Sequence, residues 1–391
     1  MKDDYSPPDY LSQKVIAYSL TLIYVDCLYA FTSLISVTFS ILCVYYFFKS
    51  LSKHTHAHLL YRFSHLSITD NCPPFSFRSG RALEDSKKIK TSARQLSVQQ
   101  IKEYLDTQLL GTYDRLVYEP VVDSTNSLAM RLAQEGSEEG IVVLTDSQTA
   151  GRGRLGRQWV DATGMNVLSS TILRPTFPPY LLVMVAALAV VEAIADTTQL
   201  TASIKWPNDV LLAEQKVSGI LIETGHDRSG HLIAILGIGV NINGHITQYI
   251  EHSNVQVHAP LQNNSPGLVA KATTLEEASG DVVKRERFIA RMLYHIEERY
   301  LALQQAAQGP QNTDDRAMGT LKAQDRQGYN AISRLVREQW RDRLSTLGRT
   351  VQVQQGEKLL SGVAEDVNDQ GELLLRSHSG EQISISWGDV G

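Results

Sequence analysis

The chain reads as an α+β protein ending in a small all-β domain and preceded by an atypical N-terminal segment. Three observations lead there. Between residues 96 and 345, helical and strand-like patterns alternate irregularly, without the steady βα repeat of a parallel sheet. From Leu347 onward, short strand-like runs recur about every ten residues between turns containing Gly, Asn and Asp, as in a small barrel or sandwich. Composition also changes along the chain. Residues 50–100 carry eight Lys/Arg against three Asp/Glu, whereas residues 101–391 carry 26 against 35.

The N-terminal segment holds all three cysteines, Cys27, Cys43 and Cys72. Three thiols exclude a disulfide scaffold and a four-thiolate metal site. A net charge of −5 over 391 residues argues against a protein that coats nucleic acid. Residues 27–48 form an uncharged run of 22, long enough to cross a bilayer as a helix. Tyr45, Tyr46, Phe47 and Phe48 end it, and Lys49, Lys53 and Arg62 follow, which would leave the body of the chain in the cytoplasm. The run is too long and starts too late for a secretory signal. Two readings stay open: a membrane anchor, or an upstream stretch absent from the mature protein. His54, His56 and His58 read as solvated linker rather than a metal site, and residues 71–95 read as linker.

In the body, 96–109 has helical spacing, with Ile101, Leu105 and Leu109 on one face. Residues 117–122 form a short strand. Ser124 or Thr125 caps a helix that stops at Gly136. Residues 141–147 and 166–174 are buried strands, and 180–196 is a core helix. Three more strand regions follow in SIKWPNDVLL, VSGILIETG and LIAILGIGVNIN. Residues 282–305 make an amphipathic helix through Phe288, Met292, Ile296 and Leu303. A domain boundary falls near 345.

Chemistry concentrates in three places. Gly151-Arg152-Gly153-Arg154-Leu155-Gly156-Arg157 sets three arginines between glycines, a mobile cationic loop suited to phosphate or carboxylate. It also matches G-x-G-x-x-G, but no helix opens there and no acidic residue follows about 20 positions on, which excludes a dinucleotide fold. Lys205-Trp206-Pro207-Asn208-Asp209 forms a polar turn, and Lys216 opens the next strand with a point charge for an anion. Gly237 and Gly239 interrupt a strand, which indicates either close approach of a ligand or tight internal packing.

In order, DSTN (123–126), QTAGRGRLGRQW (148–159), KWPND (205–209), KVSGILIE (216–223) and GIGVNIN (237–243) resemble the biotin–protein ligase family, the biotin–[acetyl-CoA-carboxylase] ligases. The resemblance covers about residues 118–391. It implies a catalytic domain over 96–345 built on a central mixed β-sheet, and an SH3-like β domain over 346–391. It implies ATP-dependent formation of biotinyl-5′-AMP, with Mg2+ on the phosphates, then transfer to a lysine of a biotin carboxyl carrier domain. Ser124, Thr125 and Asn126 resemble the biotin-contacting segment, and Gln148 the ureido contact. Arg152, Gly153 and Arg154 resemble the loop closing over biotin and its adenylate. Lys216 resembles the lysine at the carboxylate and α-phosphate, which makes Arg152, Arg154 and Lys216 the catalytic set. Trp159, Asn208, Asp209 and Asn241 are assigned around the nucleotide, although Trp159 and Trp206 also suit the core. The pairing of GRGRLGR with KWPND favours biotin over the lipoate used by the related lipoate ligases. Residues 50–95 lack the helix-turn-helix pattern found in members that repress transcription, so DNA is not an expected partner. A membrane is expected only through residues 27–48. Family members usually continue a few residues past the equivalent of ISWGDVG, which implies a slightly short C-terminus at Gly391.

Overall fold

The computed structural model describes residues 95–246, 272–308 and 323–391. The uncharged run 27–48, the histidines at 54–58 and the linker up to residue 94 lie outside the described residues.

A seven-stranded sheet carries the larger part of the fold. Its strands are β1 (Leu116–Val122), β2 (Val142–Gln148), β3 (Val167–Leu173), β4 (Ser203–Lys205), β5 (Asp209–Leu212), β6 (Gln215–His226) and β7 (Leu232–Val240), in the spatial order β1-β2-β3-β7-β6-β5-β4. β1 and β2 are parallel and every other pair is antiparallel, so the sheet is mixed. Short turns between neighbouring runs such as β4, β5 and β6 allow antiparallel pairing, whereas β1 reaches β2 through a helix, as a parallel pair requires.

Strand alternation assigns the two faces of the sheet. On β7, Ala234, Leu236 and Ile238 enter the main core, beneath helices α3 (Tyr180–Thr198) and α5 (Arg285–Gln308). Ile233 and Ile235 point the other way, to Ala129 and Ala133 of α2 (Thr125–Gln134). α3 is mostly apolar, with 12 of its 19 residues buried, and its Glu192 and Asp196 pair with Arg299 and Arg291 of α5. It is long and apolar enough to cross a membrane, but its place between the sheet and α5 makes it a core helix.

Two departures from the sequence reading have clear causes. The helix expected over 96–109 is α1 (Val98–Tyr104), capped by Ser97 and already extended at Leu105. The chain leaves the helix because the buried Glu297 carboxylate on α5 accepts from the backbone N–H groups of Gln108, Leu109 and Leu110, at 2.5, 2.8 and 2.7 Å. Helix α6 (Ala323–Arg341), after the short α4 (Leu275–Ser279), has no counterpart in the sequence reading. Its inward stripe is the narrow Ile332, Val336, Trp340 set, four residues apart in an otherwise polar stretch.

A second, antiparallel sheet follows: β8 (Thr350–Gln355), β9 (Lys358–Val367), β10 (Leu373–Ser377), β11 (Gln382–Ile385) and β12 (Asp389–Val390), in the order β11-β10-β9-β8-β12. Its apolar face joins the main core through Trp340, Leu344, Val351 and Leu373. Trp206 ties the two sheets together. Its backbone N–H donates to the Thr346 hydroxyl at 2.9 Å, and its indole N–H donates to the Gly371 carbonyl at 2.9 Å.

Replacing Glu297 with alanine would remove the acceptor of three backbone N–H groups, of which that of Leu110 is buried, a loss of roughly 1–3 kcal/mol given the cost of an orphaned buried donor. Urea denaturation reads this directly, and a loss below about 1 kcal/mol would show that the 108–110 turn does not depend on the carboxylate.

Candidate active site

The face of the sheet that holds α2 changes character toward one end. On β7 the odd positions run Ile233, Ile235, Gly237, Gly239: two bulky residues under the helix, then two without side chains. On β6, Gly219 pairs with Gly239 and Leu221 with Gly237. These glycines make room for specific side chains. A Cβ at Gly237 would lie 2.2 Å from the Asn126 Oδ1, and one at Gly239 would lie 2.6 Å from the Trp159 ring. A Cβ at Gly219 would meet both Trp159, at 2.9 Å, and the Lys216 Nζ, at 3.3 Å. These glycines pack closely against Asn126, Trp159 and Lys216, and they also line the cleft itself.

The resulting cleft encloses about 210 Å³. One end is the N-terminus of α2, where Ser124, Thr125 and Asn126 are buried despite being polar. Burial at no cost requires partners. Thr125 donates to Gln148 Oε1 from its backbone, at 2.8 Å, and from its hydroxyl, at 3.2 Å. Ser170 on β3 hydrogen-bonds the Thr125 hydroxyl and the Asn126 Oδ1, at 2.7 and 2.5 Å. Because Thr125 occupies the Gln148 oxygen, the Gln148 Nε2 is the end of that amide left to donate into the cleft.

The arginine loop forms the lid of the cleft, and in this conformation it closes on itself through backbone hydrogen bonds. Gly153 N–H donates to the Arg157 carbonyl at 2.7 Å, Trp159 N–H donates to Gly151 at 3.0 Å, and Arg152 and Gln158 form a bridge. Leu155 turns the corner with φ 55°, exposed to solvent. Glycine at 151 is required for a separate reason: a Cβ there would lie 2.8 Å from the Trp159 carbonyl.

Four cationic side chains line the cleft: Arg152, Arg154, Arg157 and Lys216. Arg152 donates to Glu223 on β6, at 2.8 Å, and to Ser127 on α2, at 3.0 Å. Arg157 pairs with Asp389 on β12 of the second sheet. Lys216 Nζ lies 2.7 Å from Asp209 and 5.8 Å from the centroid of Trp159. Arg154 differs. Its Nη1 donates to the neutral Asn208 amide oxygen at 2.8 Å, and among the described residues it has no carboxylate within ion-pair distance. Burial lowers its pKa, only partly offset by the fields of Asp389 and Asp209. A desolvated guanidinium without a counter-ion is a ready receptor for an anion.

All but one of the residues singled out from sequence line this cleft: Ser124, Thr125, Asn126, Gln148, Arg152, Gly153, Arg154, Trp159, Asn208, Asp209 and Lys216. Asn241 does not. Its amide is used inside the fold, accepting from Asn166 at 3.1 Å and donating to the Thr273 carbonyl at 3.1 Å. Sequence reasoning passed over Glu223 and Asp389. Glu223 was visible within KVSGILIE as an acidic residue on an otherwise apolar strand, whereas Asp389 has no local signal and reaches Arg157 only because the second sheet docks there.

A mixed sheet with a cation-lined cleft at one end of its α2 face is suited to an anionic small molecule. Residues 118–243 match the Biotin/lipoate A/B protein ligase family, and residues 346–390 match the Biotin protein ligase C terminal domain. A biotin–[acetyl-CoA-carboxylase] ligase of Paracoccus denitrificans is 31% identical over 267 residues, covering 67% of this chain and 94% of that protein. The bifunctional ligase/repressor BirA of Bacillus spizizenii is 35% identical over 209 residues, covering 52% of this chain; the match spans 59% of that relative's length. The biotin protein ligase from Aquifex aeolicus in complex with biotin and ATP superimposes with a TM-score of 0.51 at 25% identity, covering 71% of this chain and 98% of that one. The chain belongs to the biotin protein ligase family.

Gly239→Ala is expected to expel the Trp159 ring from its seat on the strand, costing on the order of 1–3 kcal/mol through overpacking. The tryptophan emission difference against Trp159→Phe should shift to the red as the indole meets water. Unchanged emission and stability would show that the ring is not seated on that glycine.

Proposed function

We propose that the chain is an ATP-dependent biotin–protein ligase acting on a lysine of a biotin carboxyl carrier domain, as in acetyl-CoA carboxylase. The observation that carries this reading is one cleft lined both by Arg154, part-buried and held only by a neutral amide, with Lys216, and by the buried polar segment Ser124–Asn126. A ligand with a neutral polar part and an anionic part fits such a lining, and biotin has that form. The Gln148 Nε2 would donate to the ureido carbonyl, and the valerate carboxylate would reach Lys216 and Arg154.

In the first step a biotin carboxylate oxygen attacks the α-phosphorus of ATP. The α–β phosphoanhydride bond breaks, and pyrophosphate leaves. Two anions must approach, so the chain contributes positioning and charge, with Arg154 and Lys216 spreading the negative charge that builds on the α-phosphate. In the second step the neutral acceptor lysine attacks the acyl carbon. AMP departs, and the new amide loses one proton. No protein nucleophile is needed. Trp159, Asn208 and Asp209 remain the nucleotide-side residues of this reading.

Mg2+ fits the donor set. Among the described residues there is no cluster of three metal-ligating side chains. Mg2+ is commonly held by one or two carboxylates together with substrate phosphates, and Asp209, the carboxylate in the cleft lining, would be shared between the ion and Lys216, from which it lies 2.7 Å. When bound it would supply further charge neutralisation on the phosphates. We further infer that the ligase body faces the cytoplasm and has no repressor role. Supports for this are the basic residues after position 48 and the absence of a helix-turn-helix pattern over 50–95.

The decisive assay is biotin-dependent exchange of labelled pyrophosphate into ATP, with lipoate as the competing substrate. Exchange with lipoate and none with biotin would refute the reading. Lys216→Ala should lower the exchange rate by roughly 10²-fold or more, the scale for removing one charge-stabilising donor. Arg154→Gly should release biotinyl-AMP roughly tenfold faster, through loss of a charge-assisted contact. Release as slow as in the unaltered chain would remove Arg154 from this role.

A further inference from the structure

Arg152 has both terminal nitrogens engaged within the protein. Nη1 donates to Ser127 at 3.0 Å, and Nη2 reaches both Glu223 oxygens, at 3.0 and 2.8 Å. Glu223 is engaged a second time. Its Oε2 accepts from the Asn126 Nδ2 at 2.7 Å. That bond orients the Asn126 amide, turning its oxygen toward Ser170, which hydrogen-bonds it at 2.5 Å over the bare Gly237. One carboxylate on β6 therefore joins the lid of the cleft to the helix end that forms its floor. Glu223 does not line the cleft itself, and it stands at a strand position whose partner on β7 is the apolar Ile235.

Glu223 is part-exposed, yet its two oxygens are committed to a guanidinium and an amide from two other elements, a geometry that fixes both partners rather than serving the packing of its own strand. Here the partners are the two residues that would grip biotin from opposite sides. From this geometry we propose that Glu223 is a positioning residue for biotin capture. It anchors Arg152 as a strut of the lid rather than a free phosphate clamp, and it locks the Asn126 amide for the ligand. Arg154, which has no such anchor, is left as the cation that meets the phosphate. This role rests on the ligase reading above and adds to it the residue that couples the two walls of the biotin end.

The test uses the full chain in biotin-dependent pyrophosphate exchange, with the KM for biotin, the KM for ATP and kcat measured separately. E223A should raise the biotin KM roughly tenfold, the scale for deleting one partner of a charged hydrogen bond. The ATP KM and kcat should stay within about twofold, since a residue that serves ground-state binding leaves the chemical step alone. E223Q, which keeps the shape and one acceptor, should fall between E223A and the unaltered chain. It also decides the matter should E223A fail to fold. In a double-mutant cycle, E223A combined with R152A should raise the biotin KM little beyond R152A alone, because one acts through the other. A biotin KM unchanged in both Glu223 variants overturns the proposal, as does an effect that adds in full to that of R152A. An unaltered chain that exchanges no pyrophosphate with biotin overturns the ligase reading as well; an active chain with silent Glu223 variants overturns this role alone.

Discussion

Positive charges brought to the wall of one cleft repel, and the repulsion is poorly screened where water is partly excluded. The site holds three arginines and a lysine around about 210 Å³. It tolerates this because each of three cations meets a carboxylate drawn from a different part of the fold. Glu223 comes from the C-terminal half of β6, Asp209 from the start of β5 and Asp389 from the last strand of the second sheet. The remaining cation, Arg154, is held by a neutral amide and left electrostatically hungry. Much of the architecture can be understood as the means of delivering these partners, including the docking of the second sheet against the first.

The same site depends on omission as much as on placement. The sheet face that packs α2 is continuous with the floor of the cleft, and the change from core to cavity is made by replacing isoleucines with glycines along one strand. Asn126 and Trp159 then occupy space that side chains would have filled. Polar groups at the α2 end stay buried because they satisfy one another through Ser170 and Gln148. The backbone bonds within the lid make it a closed turn from which the arginines project.

Most elements were legible because their apolar residues follow the period of a helix or a strand. This holds for α2, α3, α5 and the strands of both sheets except the two-residue β12, too short to show a period. Two helices show where periodicity stops being enough. The spacing of Leu105 and Leu109 suits a longer α1, but Glu297, nearly 190 positions away, binds the backbone that would have continued it. α6 carries one thin apolar stripe, too sparse to stand out until the core it fills is present. Asn241 shows the converse: its motif places it among site residues, while its hydrogen bonds commit it to the interior.

The order of amino acids alone settles the class of fold, the positions of the strands, the cationic loop and the family to which five ordered motifs point. These are local properties, carried by residue type and spacing. Folding decides which charge faces which. Arg152, Arg154 and Arg157 are equivalent in the sequence, three arginines between glycines. They acquire different partners, a carboxylate, a neutral amide and a carboxylate of the second sheet, because Glu223, Asn208 and Asp389 arrive beside them from 71, 54 and 232 positions away. Coulombic and hydrogen-bond energies depend on distances of a few ångströms, and those distances exist only once the sheets are packed.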